Sequence, residues 1–187
     1  MKKLISIVTP TFNEELNIER LCKSVSNEMS NLNYDYEHII IDNNSTDKTI
    51  VILRKIASND GKIKVILNTR NFGHLKSPVH GLLQSSGAAV ILISADFQDP
   101  PEMISKYIAE WENGYEVVLG QKDTSEENFF KHFIKKKFYK FIQLISEVPL
   151  MVNTTGAGIF DKKIIQQIKT INDPYPYFRG LLSEITS

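Results

Sequence analysis

Cysteine is almost absent from this sequence, which has one, Cys22, among 187 residues. A single cysteine excludes a disulfide framework and a zinc site built from cysteines. Because Cys22 lies in a pattern of helical spacing, we interpret it as a reduced core residue in a reducing compartment. A chain of this length forms one ordinary domain that can bury its own core without cross-links.

Net charge is also absent, because 22 lysine and arginine residues balance 22 aspartate and glutamate residues. A neutral chain has no overall field that would attract nucleic acid, so nucleic acid is not an expected partner. No apolar run approaches the roughly 18 residues that a membrane helix needs. The apolar start is broken at Thr9 and Pro10, too early for a signal peptide, and we interpret it as a first strand.

Glycine is missing from the start of the chain, where the first one is Gly61. This absence excludes the G-x-G-x-x-G motif that binds a dinucleotide after a first strand, and no Walker phosphate loop occurs either. Any nucleotide must therefore be held by side chains and strand ends rather than by a glycine-rich loop.

What the sequence does have is a regular alternation of strand and helix patterns. Apolar runs predict five strands, at 4–8, 37–41, 63–67, 88–93 and 115–120. Apolar residues at helical spacing predict helices between them, at 16–29, around 50–56, at 75–86 and from Pro101 onward. The alternation is typical of βαβ units and a parallel sheet buried on both faces. We predict one α/β domain, with a mostly parallel, Rossmann-like sheet and helices on both faces.

Polar residues collect where three of the predicted strands end. The first strand continues into TPTFNEE, the second into DNNSTD and the fourth into SADFQD. Ligands of open α/β sheets bind outside the carboxyl ends of the strands, so these segments should share one cleft. Any one acid, such as Asp42, could be only a turn or capping residue. The acids and amide expected at this edge are Glu14, Asp42, Asp96, Gln98 and Asp99.

Carboxylates gathered at one edge repel one another unless a cation neutralises them. Oxygen ligands such as Asp96 and Gln98 suit Mg²⁺ or Mn²⁺, which commonly completes its shell with substrate phosphates. The two prolines that follow these residues fix the direction of the loop. We therefore expect a divalent ion at this loop and a ligand that carries a diphosphate.

Four segments in order, SIVTPTFNEELNI, IIIDNNSTDKT, NTRNFGH and SADFQDPPE, carry a family resemblance. The sequence resembles the family 2 inverting glycosyltransferases with the GT-A fold. The similarity is to the branch of dolichyl- and polyprenyl-phosphate sugar synthases and bacterial cell-envelope transferases. The match runs from about Leu4 to the end of the chain. The four segments together are specific, whereas any one alone would be weak.

The resemblance implies a hexosyltransferase that moves a sugar from a nucleotide-sugar donor, which we expect to be UDP-linked, to a polyprenyl phosphate or a cell-envelope glycan. Its metal, Mg²⁺ or Mn²⁺, would be held by Asp96 and Gln98. Lys122 falls where relatives carry a basic residue that faces an acceptor phosphate. The residues implied to bind the nucleotide are Pro10, Phe12, Glu14, Asp42, Arg70 and Gly73.

Two departures from the family pattern bear on the chemistry. Ser94 stands where many relatives have the first acid of Asp-Ala-Asp, and this should weaken metal binding. Gly156 stands where many polyprenyl-phosphate transferases have the acid of Gly-Asp-Phe. A hydroxyl acceptor needs a base and an ionised lipid phosphate does not, so the second departure favours a phosphate acceptor. Glu184 and Asp161 are candidates for a relocated catalytic base, although Asp161 is a better candidate for a helix cap.

The stretch 128–145, NFFKHFIKKKFYKFIQLI, repeats aromatic and apolar residues at helical spacing with lysines between them. It is either an amphipathic helix packed on the domain or an interfacial helix that lies on anionic lipid. We therefore expect a cytoplasmic protein, or one in peripheral contact with the inner face of the cell membrane. Relatives usually continue further, so we expect residues 1–187 to be the catalytic domain of a longer bacterial protein in which membrane helices follow.

Two other functions stay open. A sugar nucleotidylyltransferase would use a related sheet, but such enzymes usually carry a glycine-rich basic signature after the first strand, which TPTFNEE lacks. A non-catalytic module that binds a nucleotide sugar would be consistent with Ser94 and Gly156. Turnover or hydrolysis of a donor would distinguish an enzyme from such a module.

Overall fold

The computed structural model describes residues 2–121, 154–171 and 177–186. Six strands form one sheet: β1 (Leu4–Thr11), β2 (Asp35–Asp42), β3 (Ile63–Leu67), β4 (Ala89–Leu92), β5 (Val117–Gln121) and β6 (Thr154–Asp161). The helices are α1 (Ile18–Ser30), α2 (Thr49–Asn59), α3 (Gly73–Leu83), α4 (Met103–Glu112), α5 (Lys162–Thr170) and α6 (Phe178–Thr186).

Strands β1 to β4 run parallel and lie in the order β3-β2-β1-β4. Their register brings the carboxyl ends to one edge, since Thr11 pairs with Asp42 and Asp42 pairs with Leu67. On the other side of β1, Val8 pairs with Leu92. The predicted α/β domain with a mostly parallel sheet is therefore confirmed.

Strand β6, which the sequence did not predict, lies between β4 and β5 and runs antiparallel to both. Its last residue, Asp161, pairs with Ala89 at the amino end of β4. Gly158 pairs with Leu92 at the carboxyl end. The first residues of β6 therefore reach the polar edge of the sheet, whereas Asp161 lies at the opposite edge.

Two hydrophobic cores cover the two faces of the sheet, and β1 contributes to both. Ile5 and Ile7 pack with buried residues of α1, α2 and α4, while Val8 packs on the other face with α3, α5 and α6. Side chains alternate between faces along a strand, so a strand covered on both sides is apolar at consecutive positions. This double burial explains the continuous apolar runs in the sequence.

The described helices are short. None of those within residues 2–121, 154–171 and 177–186 combines the length and the apolar character that a bilayer-crossing helix requires. The predicted amphipathic helix at 128–145 and the predicted phosphate contact Lys122 lie outside the described residues.

Candidate functional site

Two adjoining cavities open at the carboxyl ends of the parallel strands. The larger cavity has a volume of about 440 Å³, and the smaller cavity has a volume of about 370 Å³. Pro10, His74 and Pro78 line both of them. The larger cavity is also lined by Leu92, Ser94, Asp99, Gly156, Tyr177 and Phe178. The smaller cavity is also lined by Thr11, Phe12, Asn43, Asn71, Gly73 and Ser77.

Backbone strain is concentrated at this edge. The non-glycine residues with positive φ in the described chain are Asn13 (56°), Asn44 (66°) and Phe97 (59°), and they follow β1, β2 and β4. Asparagine tolerates this conformation, but a bulky phenylalanine there costs of order 1–3 kcal/mol. Phe97 is held by packing against the core on one face and by the Arg20 guanidinium, 3.9 Å from the centre of its ring. The loop is thus fixed by its surroundings.

Asp96, beside Phe97, is exposed and has one of its oxygens fixed. Its Oδ1 accepts hydrogen bonds from the Ser94 hydroxyl at 2.8 Å and from the Gln98 backbone N–H at 3.1 Å. Its Oδ2 has no hydrogen-bond partner among the described residues. Ser94, which replaces the first acid of the family pattern, therefore orients Asp96 and itself lines the larger cavity, whereas Asp96 lines neither cavity.

Within the described parts of the chain, no three His, Cys, Asp or Glu side chains come together as a complete metal site. Mg²⁺ and similar ions need fewer protein ligands, because one or two carboxylates suffice when water and substrate phosphates complete the shell. The open oxygen of Asp96 and the exposed side chain of Gln98 are suitable donors for such an ion.

Asn43 organises the wall of the smaller cavity, and the sequence did not single it out. Its Oδ1 accepts hydrogen bonds from the Phe72 backbone N–H at 2.9 Å and from Asn68 Nδ2 at 3.1 Å. Its Nδ2 donates to Asn71 Oδ1 at 2.7 Å. One buried amide thus holds the whole segment 68–73 against the end of β2.

Asp42, which the family resemblance places in the nucleotide pocket, does not line either cavity. Its side chain is fully buried, and its oxygens accept hydrogen bonds from the Ser45 backbone N–H at 2.9 Å and the Ser45 hydroxyl at 2.5 Å. It shapes the turn after β2, the alternative that the sequence had left open. Glu14 likewise serves its loop, because its Oε2 accepts from Asn17 Nδ2 at 2.8 Å. Neither acid lines the two cavities.

Comparison with known proteins agrees with this architecture. The model of the family described as "Glycosyl transferase family 2" matches residues 6–169. The chain belongs to glycosyltransferase family 2. The resemblance drawn from the four sequence segments is therefore confirmed.

Curated relatives of this family 2 chain match nearly all of it. An uncharacterized glycosyltransferase of Bacillus subtilis (strain 168), YkcC, is 34% identical over 179 residues, which is 95% of this chain and 55% of the relative. A bactoprenol glucosyl transferase of Shigella phage SfV is 32% identical over 180 residues, 96% of this chain and 59% of the relative. The chain thus spans little more than half the length of these relatives.

Solved structures show the same GT-A fold. Glucosyl-3-phosphoglycerate synthase from Mycobacterium tuberculosis, in complex with Mn²⁺, UDP and phosphoglyceric acid, has a TM-score of 0.63 at 21% identity. The match covers 88% of this chain and 58% of that one. TarS from S. aureus, in complex with UDP-GlcNAc, has a TM-score of 0.56 at 20% identity, covering 90% and 48%.

Several residues that the family resemblance implied do line the cleft of this family 2 domain. Pro10, Phe12 and Gly73 line the smaller cavity, and the Phe12 side chain is 43% exposed. Arg70 is exposed nearby, with its guanidinium 4.8 Å from the centre of the Phe72 ring. The predicted nucleotide residues therefore divide into those that meet the cavity or its rim and those that support the loops behind it.

The two candidate bases lie away from both cavities of the family 2 domain. Asp161 caps α5, accepting the Lys163 backbone N–H at 2.9 Å, and it also accepts Trp111 Nε1 at 2.9 Å. It lies at the amino edge of the sheet, where its side chain caps the helix, and it lines neither cavity. Glu184 is exposed on α6 and lines neither cavity.

The presence of glycine at position 156, the second departure from the family pattern, is explained by the backbone conformation there. Its φ is 89°, in the left-handed region that glycine adopts freely and a residue with a Cβ avoids. It lines the larger cavity opposite the β4 loop. The edge-to-face contact of Phe160 with Phe178, at 4.9 Å between ring centres, fixes α6 on β6 and places Tyr177 at the same cavity.

Proposed function

We propose that this chain is the catalytic domain of a metal-dependent, inverting glycosyltransferase that uses a UDP-linked sugar and transfers it to a lipid phosphate. The observation that carries this proposal is a pair of adjoining cavities at the carboxyl edge, the larger of which is lined by Ser94, the hydrogen-bond donor to Asp96. A nucleotide sugar has two joined parts, and two adjoining cavities beside a suitable ion site match its form.

The smaller cavity suits the nucleoside. Phe12 offers an exposed ring on which a base can stack, and Asn43 and Asn71 offer amide groups along the wall. Gly73 has a φ of 80°, which glycine adopts without strain, and the exposed Arg70 would supply a cation for the diphosphate. The complexes of the two structural neighbours named above contain UDP and UDP-GlcNAc, which supports a UDP-linked donor here.

Asp96 and Gln98 would hold the divalent ion. The hydrogen bond from Ser94 fixes one oxygen of Asp96 and leaves the other without a hydrogen bond among the described residues, which favours binding of an ion in a single geometry. When bound, the ion would neutralise charge on the diphosphate and so make UDP a better leaving group. The weakly ligated site is consistent with an ion that arrives together with the nucleotide.

A lipid phosphate is the acceptor class that these residues favour. The larger cavity has Gly156 where a base would be expected, and Glu184 and Asp161 lie elsewhere. An ionised phosphate attacks without giving up a proton, whereas a glycan hydroxyl needs a base. The name of the phage relative, a bactoprenol glucosyl transferase, supports the same class. Lys122 would face the acceptor phosphate, and segment 128–145 would contact anionic lipid at the inner face of the membrane.

Titration calorimetry of UDP and GDP, with and without Mn²⁺, tests this proposal. UDP should bind at least about tenfold more tightly with Mn²⁺, and Asp96→Ala should remove this gain, because one carboxylate–metal contact is lost. Asp35→Ala, which removes an exposed acid at the amino edge, should keep the gain. Preferential binding of GDP would change the donor class.

Absence of binding by either nucleotide, in a folded protein, would refute the proposed site. Turnover is followed separately, as transfer from UDP-glucose or UDP-GlcNAc to a short-chain polyprenyl phosphate. Binding without transfer or donor hydrolysis would instead indicate a nucleotide-sugar-binding module.

A further inference from the structure

The larger cavity contains a carboxylate that the proposed nucleoside and metal contacts do not use. Asp99 is only 7% exposed and lines this cavity. Its one hydrogen bond within the described residues comes from the Ser94 hydroxyl, at 3.4 Å. That hydroxyl has a single hydrogen and lies closer, at 2.8 Å, to Asp96. Asp99 is thus a buried acid whose protein donor is already engaged.

Ordinary structural roles do not account for Asp99. Helix α4 begins at Met103 without a side-chain cap, so Asp99 is not its capping residue. No ion pair of the described residues includes Asp99. Its charge is nevertheless close to the buried Tyr107, because burial, and next the charge of Asp99, raise the pKa of Tyr107 to about 12. A buried carboxylate needs hydrogen-bond donors, and since the described residues offer Asp99 no further one, a ligand in the cavity can supply them.

The walls around Asp99 indicate which kind of ligand supplies the donors. Apolar side chains of Leu75, Leu92 and Phe178 line the same cavity, and the ring of Tyr177 is 45% exposed. A hexose presents hydroxyl groups at its rim and C–H groups on its faces, so it can satisfy both kinds of wall. A fully ionised phosphate brings no hydroxyl donor, so it cannot supply the hydrogen bonds that Asp99 lacks.

We propose that the larger cavity takes the hexose of the donor, and that Asp99 selects it by accepting hydrogen bonds from its hydroxyl groups. The inference rests on the proposed function, since the smaller cavity must hold the nucleoside. The two cavities share Pro10, His74 and Pro78, and the loop of Asp96 borders the larger one. A sugar linked through a diphosphate beside this loop falls into the larger cavity, next to Asp99.

Calorimetry with Mn²⁺ tests this inference by comparing UDP, UDP-glucose and UDP-GlcNAc on the purified 187-residue chain. The wild type should bind one UDP-sugar more tightly than UDP. Asp99→Asn keeps the shape but exchanges an acceptor oxygen for a donor, so affinity for that UDP-sugar should fall about tenfold. Affinity for UDP should not change. Asp35→Asn is the matched control for loss of one acidic charge, and it should behave as the wild type.

The same titrations separate failure of this inference from failure of the proposed function. If UDP binds but the UDP-sugar preference survives in Asp99→Asn, or never exists, the hexose assignment is wrong. If Asp99→Asn binds all ligands normally and only turns over slowly, Asp99 acts on the acceptor instead. If it loses UDP as well, Asp99 supports the loop, and the inference again fails. If the wild type does not bind UDP at all, the proposed function itself falls.

Discussion

The two edges of this sheet treat their polar groups in opposite ways. At the amino edge, the buried carboxylate of Glu37 accepts hydrogen bonds from the Ser6 hydroxyl at 2.5 Å, from Ser86 at 2.7 and 2.8 Å, and from Lys64 Nζ at 2.5 Å. At the carboxyl edge, the exposed Asp96 has an oxygen, Oδ2, with no hydrogen-bond partner among the described residues. The Glu37 carboxylate thus has protein donors on both oxygens, whereas the Asp96 carboxylate has them on one.

The difference shows in the ionisation of the amino-edge acid. Burial alone would raise the pKa of Glu37, but hydrogen bonds from Lys64, Ser6 and Ser86 outweigh burial and lower the pKa to about 2. A carboxylate held in this way contributes to folding stability at neutral pH. Polar burial is therefore no mark of function by itself. What distinguishes the carboxyl edge, within the described residues, is strained backbone together with an acid, Asp96, that has an oxygen without a protein donor.

Lowering the pH should first destabilise the fold through His38, which lies in β2 between the two edges of the sheet. Burial lowers the pKa of His38 to about 4, although the charge of Asp60 opposes this, and its Nδ1 has no hydrogen-bond partner among the described residues. The unfolded chain binds the proton more readily, so stability is full above pH 6.5 and declines toward pH 4. The expected loss of unfolding free energy is about 3 kcal/mol.

Urea unfolding at a series of pH values measures this loss. His38→Gln keeps a polar partner for Thr9, which shares a 2.9 Å hydrogen bond with His38, but cannot titrate. It should flatten the dependence between pH 6.5 and 4. An equal slope in both proteins would show that other groups cause the acid loss, for example Glu37, whose own contribution disappears only as pH falls from 4.5 toward 2.

Replacing Glu37 by Gln tests whether the polar groups of the amino edge serve stability without affecting nucleotide binding. The amide weakens the charge-assisted hydrogen bonds from Ser6 and Ser86, so the free energy of unfolding should fall by about 2 kcal/mol. Binding of UDP with Mn²⁺ should not change, because Glu37 lies away from both cavities. Glu110→Gln, which removes the same charge from an exposed site, should leave stability unaltered. A loss of UDP affinity in Glu37→Gln would mean that the edges are coupled.

Replacing Thr11 by Val at the carboxyl edge should raise the free energy of unfolding, by less than the replacement of Glu37 lowers it. The Thr11 hydroxyl is buried without a hydrogen-bond partner in the described structure, and Thr11 lines the smaller cavity. Valine has nearly the same shape and removes the unsatisfied group, so the free energy of unfolding should rise by about 1 kcal/mol. UDP affinity should fall if the hydroxyl serves the nucleotide. Urea unfolding measures the free energy of unfolding, and calorimetry measures UDP affinity on the same sample. If neither quantity changes, the Thr11 hydroxyl is neither a destabilising buried group nor a nucleotide contact.

The sequence predicts the parallel part of the fold well, because strands buried on both faces leave continuous apolar runs. It does not predict β6, whose residues TTGAGIFD contain two glycines and few apolar side chains. The pairing itself requires Gly158, since a Cβ there would lie 2.1 Å from the Val118 carbonyl oxygen. Because β6 pairs by close approach to a strand that is distant in sequence, its own residues show little of the apolar periodicity from which strands are predicted.

At the site, the sequence predicts a nucleotide-binding role for Asp42 and no role for its neighbour Asn43. Asp42 and Asn43 are adjacent at the end of β2, and Asn43 lines the cavity while Asp42 supports the turn. Side chains that alternate along a strand point to opposite faces, so an error of one position exchanges the two roles. Register of this kind depends on pairing with β1 and β3, which composition and motifs do not encode.

The insertion of β6 between β4 and β5 has a consequence for synthesis of the protein. Both flanking strands leave the ribosome before β6, so a nascent chain has an unfilled slot between them and two unpaired strand edges. The wall of the larger cavity that contains Gly156 is added only when that slot closes. Pairing over such a separation in sequence is slow. The larger cavity is therefore completed late, only after β6 has paired with both of its neighbours.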